Sequence, residues 1–178
     1  DPSGERLYRR TLDGPEATPI AGTEAGSVPF FSPDGTWVGF FADRRLKRVP
    51  IAGGSAIDVA AAPGFPAGAS WSVDDRIVFA GYQAPLQIVD ARSGATESLL
   101  PRGADLGHLF PEFLPDGRTV LFSESGWIHA IDVVSKRRTD RIVRGVGPRY
   151  SSAHYSTGAS DDPARYCGKG RRTCGRGR

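Results

Sequence analysis

The chain has 178 residues, including 23 glycines and 14 prolines, a composition that suits many short strands joined by turns and excludes a helical bundle. Residues 1–145 carry 16 Lys and Arg against 18 Asp and Glu, whereas residues 146–178 carry 7 against 2, so the net charge of +3 belongs to the end of the chain. We therefore expect no nucleic acid as a partner of the main body, and no apolar run approaches the roughly 18 residues of a membrane span.

Residues 6–26 predict two short strands, at 7–12 and 18–20, joined by a polar turn. The next segment contains the turn Ser32-Pro33-Asp34-Gly35, in which Pro at the second position and Gly at the fourth fit a type I turn. Apolar runs at 28–31 and 37–41 flank this turn, which is the pattern of two antiparallel strands joined by a tight reversal.

This turn recurs along the chain. Its Asp residues, Asp34, Asp74 and Asp116, are 40 and 42 residues apart, and a second strand pattern, beginning at residues 7, 46, 86 and 128, repeats at 39, 40 and 42. A period of about 40 residues with four strands matches the blade of a β-propeller. The sequence thus predicts an all-β fold, a partial β-propeller of about three and a half four-stranded antiparallel blades.

The predicted blades divide residues 1–151 as follows: a half blade at 6–26, full blades at 27–65, 66–107 and 108–145, and the start of another at 146–151. Most closed propellers have more blades than this. The chain begins at Asp1 and contains no Met. We therefore expect a piece of a larger propeller or an open stack of blades.

Residues 152–178 interrupt the repeat with a basic, Gly-rich sequence that contains both cysteines, Cys167 and Cys174. Three interpretations stay open for it: a disordered basic tail, translation out of frame, and a tail that binds nucleic acid. Two cysteines without a second pair do not make a structural zinc site, for which four ligands are typical.

No set of residues predicts catalysis, a metal site or a cofactor. The repeated Asp residues are expected to sit well apart on one rim and to accept hydrogen bonds from their own turn amides. His129 lies in a strand, His108 opens the third full repeat, and His154 lies in the tail. No Gly-x-Ser-x-Gly nucleophile elbow accompanies them.

The strongest surface feature is the basic run at 44–48. A solvated loop and edge strand explains it, and a site for an acidic partner is the alternative. Trp37, Trp71 and Trp127 are expected to wedge neighbouring blades together, because packing between blades needs large apolar rings.

The phrase at 31–40, with its Ser-Pro-Asp-Gly turn, resembles the WD40-like repeat of TolB-type propellers. Three further phrases, at 46–54, 68–71 and 110–117, resemble propeller regions that follow the kinase domain in some bacterial serine/threonine protein kinases. The resemblance implies a non-catalytic scaffold that binds a protein or small ligand at the rim or the channel mouth, for example as the sensor part of a bacterial receptor kinase. The alternative is a propeller that gates an α/β-hydrolase peptidase whose catalytic domain lies elsewhere.

Overall fold

A computed structural model describes residues 5–12, 14–101, 107–150 and 155–157. The described residues form sixteen strands, named β1 to β16 in chain order. The half blade contains β1 (Tyr8–Arg9) and β2 (Thr18–Pro19). Blade 1 contains four strands: β3 (Ser27–Phe31), β4 (Trp37–Ala42), β5 (Arg45–Pro50) and β6 (Ile57–Ala61).

The next two blades repeat this order. Blade 2 contains β7 (Pro66–Trp71), β8 (Arg76–Gly81), β9 (Leu86–Asp90) and β10 (Thr96–Leu100). Blade 3 contains β11 (Leu109–Phe113), β12 (Thr119–Glu124), β13 (Trp127–Asp132) and β14 (Val143–Arg144). Each blade is an antiparallel meander in which every strand pairs with the next. The expected all-β fold with partial propeller architecture is confirmed.

A further pair, β15 (Pro148–Tyr150) and β16 (Tyr155–Thr157), follows blade 3. β16 lies inside the segment 152–178, and the three interpretations of that segment stay open. Tyr and Thr are residues with a preference for strands, which accounts for the short extension. The rest of the segment, including His154, Cys167 and Cys174, lies outside the described residues.

The first strand of each blade lies nearest the propeller axis, since β7 neighbours both β3 and β11, and β11 neighbours β15. Each of these inner strands shifts register against its partner at one point. The residue at that bulge has a positive φ: 49° at Val28, 120° at Gly68 and 51° at Phe110. A β-carbon on Gly68 would lie 2.9 Å from the α-carbon of Phe110, so blades 2 and 3 approach closely here.

Apolar side chains between successive blades form the core. Phe40 and Val49 pack toward the half blade with Ile20. Buried side chains of β4–β6 and β7–β9 fill the space between blades 1 and 2. Between blades 2 and 3 a third cluster includes the fully buried Phe122, and burial of such a ring contributes about 1.5–3 kcal/mol.

Candidate functional site

A cleft that combines aromatic and charged side chains opens between blades 1 and 2. It lies on the rim that carries the β3–β4, β7–β8 and β11–β12 turns, which we call the turn rim. Its volume is about 660 Å³. The residues that line this cleft are Ser32, Pro33, Asp34, Trp37, Arg48, Trp71, Val73, Asp75 and Arg92.

Two tryptophans on rigid strands form the apolar part of the cleft. Trp37 begins β4, and the Arg48 guanidinium carbon lies 4.7 Å from the centre of its ring, within the range of a cation–π contact. Trp71 ends β7 and is 7% exposed, with its ring centre 6.2 Å from that of Phe30 in blade 1. The cleft therefore has walls from two blades, fixed by the packing between them.

The two acidic side chains of the cleft already have partners. Asp34 accepts hydrogen bonds from the Ser32 hydroxyl and from the backbone N–H (3.1 Å) and hydroxyl (2.7 Å) of Thr36. These hydrogen bonds, first that of Ser32, lower the pKa of Asp34 to about 2. Asp75 forms an ion pair with Arg92. Asp75 is thus paired with a cation, whereas Asp34 is held by neutral donors of its own turn and keeps its negative charge.

Arg48 differs from Arg92, because its guanidinium has no carboxylate partner among the described residues. Its Nε and the Nε1 of Trp71 are shielded from water and donate no hydrogen bond. A buried donor without a partner costs about 1–3 kcal/mol. Two side chains that line the cleft thus carry an unsatisfied donor, and one of them is a cation.

The repeated turn Asp residues were expected to bind their own turn amides, and two of them do. Asp116 is partly desolvated, which raises its pKa, but hydrogen bonds from the hydroxyl and backbone N–H of Thr119 outweigh this and lower it. The carboxylate of Asp74 pairs instead with the Arg76 guanidinium at 3.2 Å. Arg76 also donates to the carbonyl of Gly117 at 2.9 Å, so the turns of blades 2 and 3 touch.

His108 and His129 both pack against the Phe122 ring, the first edge-on and the second stacked, with ring centres 5.1 and 5.5 Å away. Glu124 and Arg138 link the two histidines: one Glu124 oxygen lies 3.2 Å from Nε2 of His108, the other pairs with Arg138, and Arg138 contacts the His129 ring. Burial is the main cause that lowers the pKa of both histidines. The group is an inter-strand network of blade 3, with His129 held by packing.

The structure corrects the prediction made for the basic run at 44–48. The basic run does not lie on an edge strand, because β5 is hydrogen-bonded to both β4 and β6. Arg45 and Lys47 pair with Asp58, and Lys47 pairs also with Asp43. β5 therefore occupies an inner position of the meander. The pattern of charged residues in the sequence does not indicate that position.

Two of the three tryptophans pack between blades as expected. Trp71 is buried in the cluster between blades 1 and 2, and Trp37 packs against the same cluster. For Trp127 the expectation is wrong, since the guanidinium carbons of Arg141 and Arg144 lie 5.1 and 5.5 Å from its ring centre. Cationic side chains cover this ring instead of a neighbouring blade.

Within the described residues, no cluster of three or more His, Cys, Asp or Glu side chains could hold a metal ion. The same part of the chain has no helix with the length and apolar character that crossing a bilayer requires.

Comparison with solved structures shows the β-propeller fold. The chain aligns with a putative TolB from Agrobacterium tumefaciens at a TM-score of 0.65 and 20% identity, over 88% of this chain and 65% of that one. It aligns with the nidogen/laminin complex at a TM-score of 0.63 and 11% identity, over 76% and 54%. An oligogalacturonate lyase in complex with manganese aligns at 0.60 and 17%, over 79% and 46%.

The chain therefore spans less than two thirds of the length of each of these structures. No protein-family model matches it. No curated protein matches its sequence. At these identities the likeness concerns the fold alone.

Proposed function

We propose that this propeller is a non-catalytic scaffold that binds a protein or small ligand through the turn-rim cleft between blades 1 and 2. The observation that carries the proposal is the Arg48 guanidinium, which has no carboxylate partner among the described residues and is held against Trp37 in a cleft that Trp71 also lines. Binding sites combine an apolar surface with a few fixed polar groups, often on loops that a rigid frame supports. Here the strands β4, β5 and β7 supply that frame.

The proposal is tested by blocking the cleft at its most exposed apolar side chain. Val73 lines the cleft and is 67% exposed, so an Arg in its place fills the entrance without disturbing the core. Val134, on the same rim of blade 3, is also 67% exposed and provides the matched control Val134→Arg. The readout is a fragment library screened by ligand-detected NMR against the three proteins.

The proposal expects fragments that bind the unaltered chain and Val134→Arg but not Val73→Arg. A library without any such fragment, or fragments that bind all three proteins alike, would contradict it.

A finer role follows from the resemblance of 46–54, 68–71 and 110–117 to kinase-associated propellers: the sensor or interaction part of a bacterial receptor kinase. Arg48 and Trp71 lie within two of these phrases and both line the cleft, which supports a sensing role. The alternative, a propeller that gates a hydrolase, has no matching feature in the cleft. A coding sequence with a kinase domain upstream agrees with the sensor role, and one with a Gly-x-Ser-x-Gly domain downstream refutes it.

A further inference from the structure

The turn-rim cleft is a binding site on the proposal above, and its donors indicate the chemistry of what it binds. We propose that the cleft binds a carboxylate joined to an apolar group, as at the carboxyl terminus of a peptide or in a small aromatic acid. This inference rests on the proposed function and adds the class of ligand.

Four charged side chains line the cleft. Asp34 is engaged by its own turn, and Asp75 is paired with Arg92. Arg48 is the cleft cation without a carboxylate among the described residues. An incoming anion can therefore pair with Arg48 without breaking an existing ion pair.

The Arg48 guanidinium has a geometry that suits a carboxylate. A guanidinium presents its N–H groups as a planar fork that matches the two oxygens of a carboxylate. Stacking on Trp37 holds this fork in place at 4.7 Å, so little side-chain freedom remains to be lost on binding. Trp71, whose buried N–H has no acceptor among the described residues, is a second side chain with a free donor that lines this cleft.

The apolar lining of the cleft suits the rest of the ligand. Trp37, Pro33 and the exposed Val73 give the cleft apolar surface beside its donors. A ligand with an aromatic or aliphatic body next to its carboxylate uses both parts. A fully hydrated small anion would use only one.

The experiment is a titration followed by the indole N–H signals of uniformly ¹⁵N-labelled protein, with the Trp71 signal assigned from Trp71→Phe. The probes are N-acetylphenylalanine, its amide, phenylacetate and phenethylamine. The amide retains the shape of the first probe and removes its charge. Phenylacetate lacks the peptide group, and phenethylamine reverses the charge.

We expect N-acetylphenylalanine to shift the Trp71 signal and to bind at least tenfold more tightly than its amide. If phenylacetate binds with an affinity within threefold of that of N-acetylphenylalanine, a small acid is sufficient as the ligand. If phenylacetate binds more weakly than that, the ligand is a peptide terminus. Both results support the inference. Arg48→Gln should weaken binding of the acid at least tenfold. Arg118→Gln, on the same rim but paired with Asp132 outside the cleft, should change it less than twofold.

Equal binding of acid and amide, or tighter binding of phenethylamine, overturns the carboxylate inference while the cleft remains a binding site. No shift of Trp71 with any probe also overturns it. In that case the fragments blocked by Val73→Arg still decide the proposed function separately.

Discussion

The close approach of the inner strands predicts a large effect of Gly68→Ala. Gly68 has a φ of 120°, where a side chain is strained, and its added β-carbon would lie 2.9 Å from the α-carbon of Phe110 and 3.2 Å from Cδ of Pro111. These neighbours belong to the backbone and ring of β11, so they cannot turn away as a flexible side chain would. The substitution should therefore push blades 2 and 3 apart at the axis.

The expected loss has two parts. An unfavourable backbone conformation costs about 1–3 kcal/mol. Overpacking against a fixed neighbour costs about 1–3 kcal/mol more. Their sum, about 2–6 kcal/mol, is a large fraction of the stability of an ordinary domain, which is about 5–15 kcal/mol.

Gly126→Ala is the matched control, because Gly126 has a φ of 77° and nothing within 4 Å of the added carbon. Its cost is conformational alone, about 1–2 kcal/mol. Urea unfolding, followed by tryptophan fluorescence and circular dichroism, measures both variants. If Gly68→Ala lost no more stability than Gly126→Ala, the packing of the inner strands described above would be wrong.

Two further predictions concern buried polar groups. Thr23→Val should cost about 1–3 kcal/mol in urea unfolding, because the Thr23 hydroxyl accepts from Leu7 N–H (3.0 Å) and donates to the Ile20 carbonyl (2.7 Å); Thr23→Ser should retain most stability, and an equal loss in both would refute this. The pKa of His108 is lowered in the folded chain by burial, so protonation favours the unfolded chain, and stability should fall as the pH falls below about 6.5. His108→Gln should reduce this slope between pH 7.5 and 5.5, and an unchanged slope would assign it to other groups.

The blade period could be predicted from sequence because each turn marks itself locally. Pro33 and Pro115 set φ at the second turn position, and Gly35 and Gly117 have the positive φ that the turn requires, 69° and 63°. In blade 2 Asp75 occupies the position of these glycines with a φ of 57°. The turn of blade 2 therefore matches the repeated sequence less well than the other two turns.

The cleft could not be predicted in the same way. Trp71 and Arg48 belong to different blades, and their shared cleft depends on how the sheets stack. Local pattern gives strand positions, whereas neighbours across blades depend on twist and packing. The basic run at 44–48 contains Arg48, the cation on which the proposed binding depends.

The histidine network shows the same limit. His108 and Glu124 are brought together by register across β11 and β12, and Arg138 reaches Glu124 from beyond β13. A single strand pattern contains no signal for such a contact. One sequence feature could have suggested the contact between His108 and Glu124: both are polar residues at the ends of β11 and β12 that meet in the antiparallel pair.

A crystal structure of the chain with N-acetylphenylalanine tests the central claim most directly. The account predicts the carboxylate of the ligand at hydrogen-bond distance from the Arg48 guanidinium, about 2.7–3.2 Å, with the phenyl group against Trp37 or Val73 in the turn-rim cleft. Ligand bound instead at the channel axis or on the opposite rim, with the cleft empty, would contradict it.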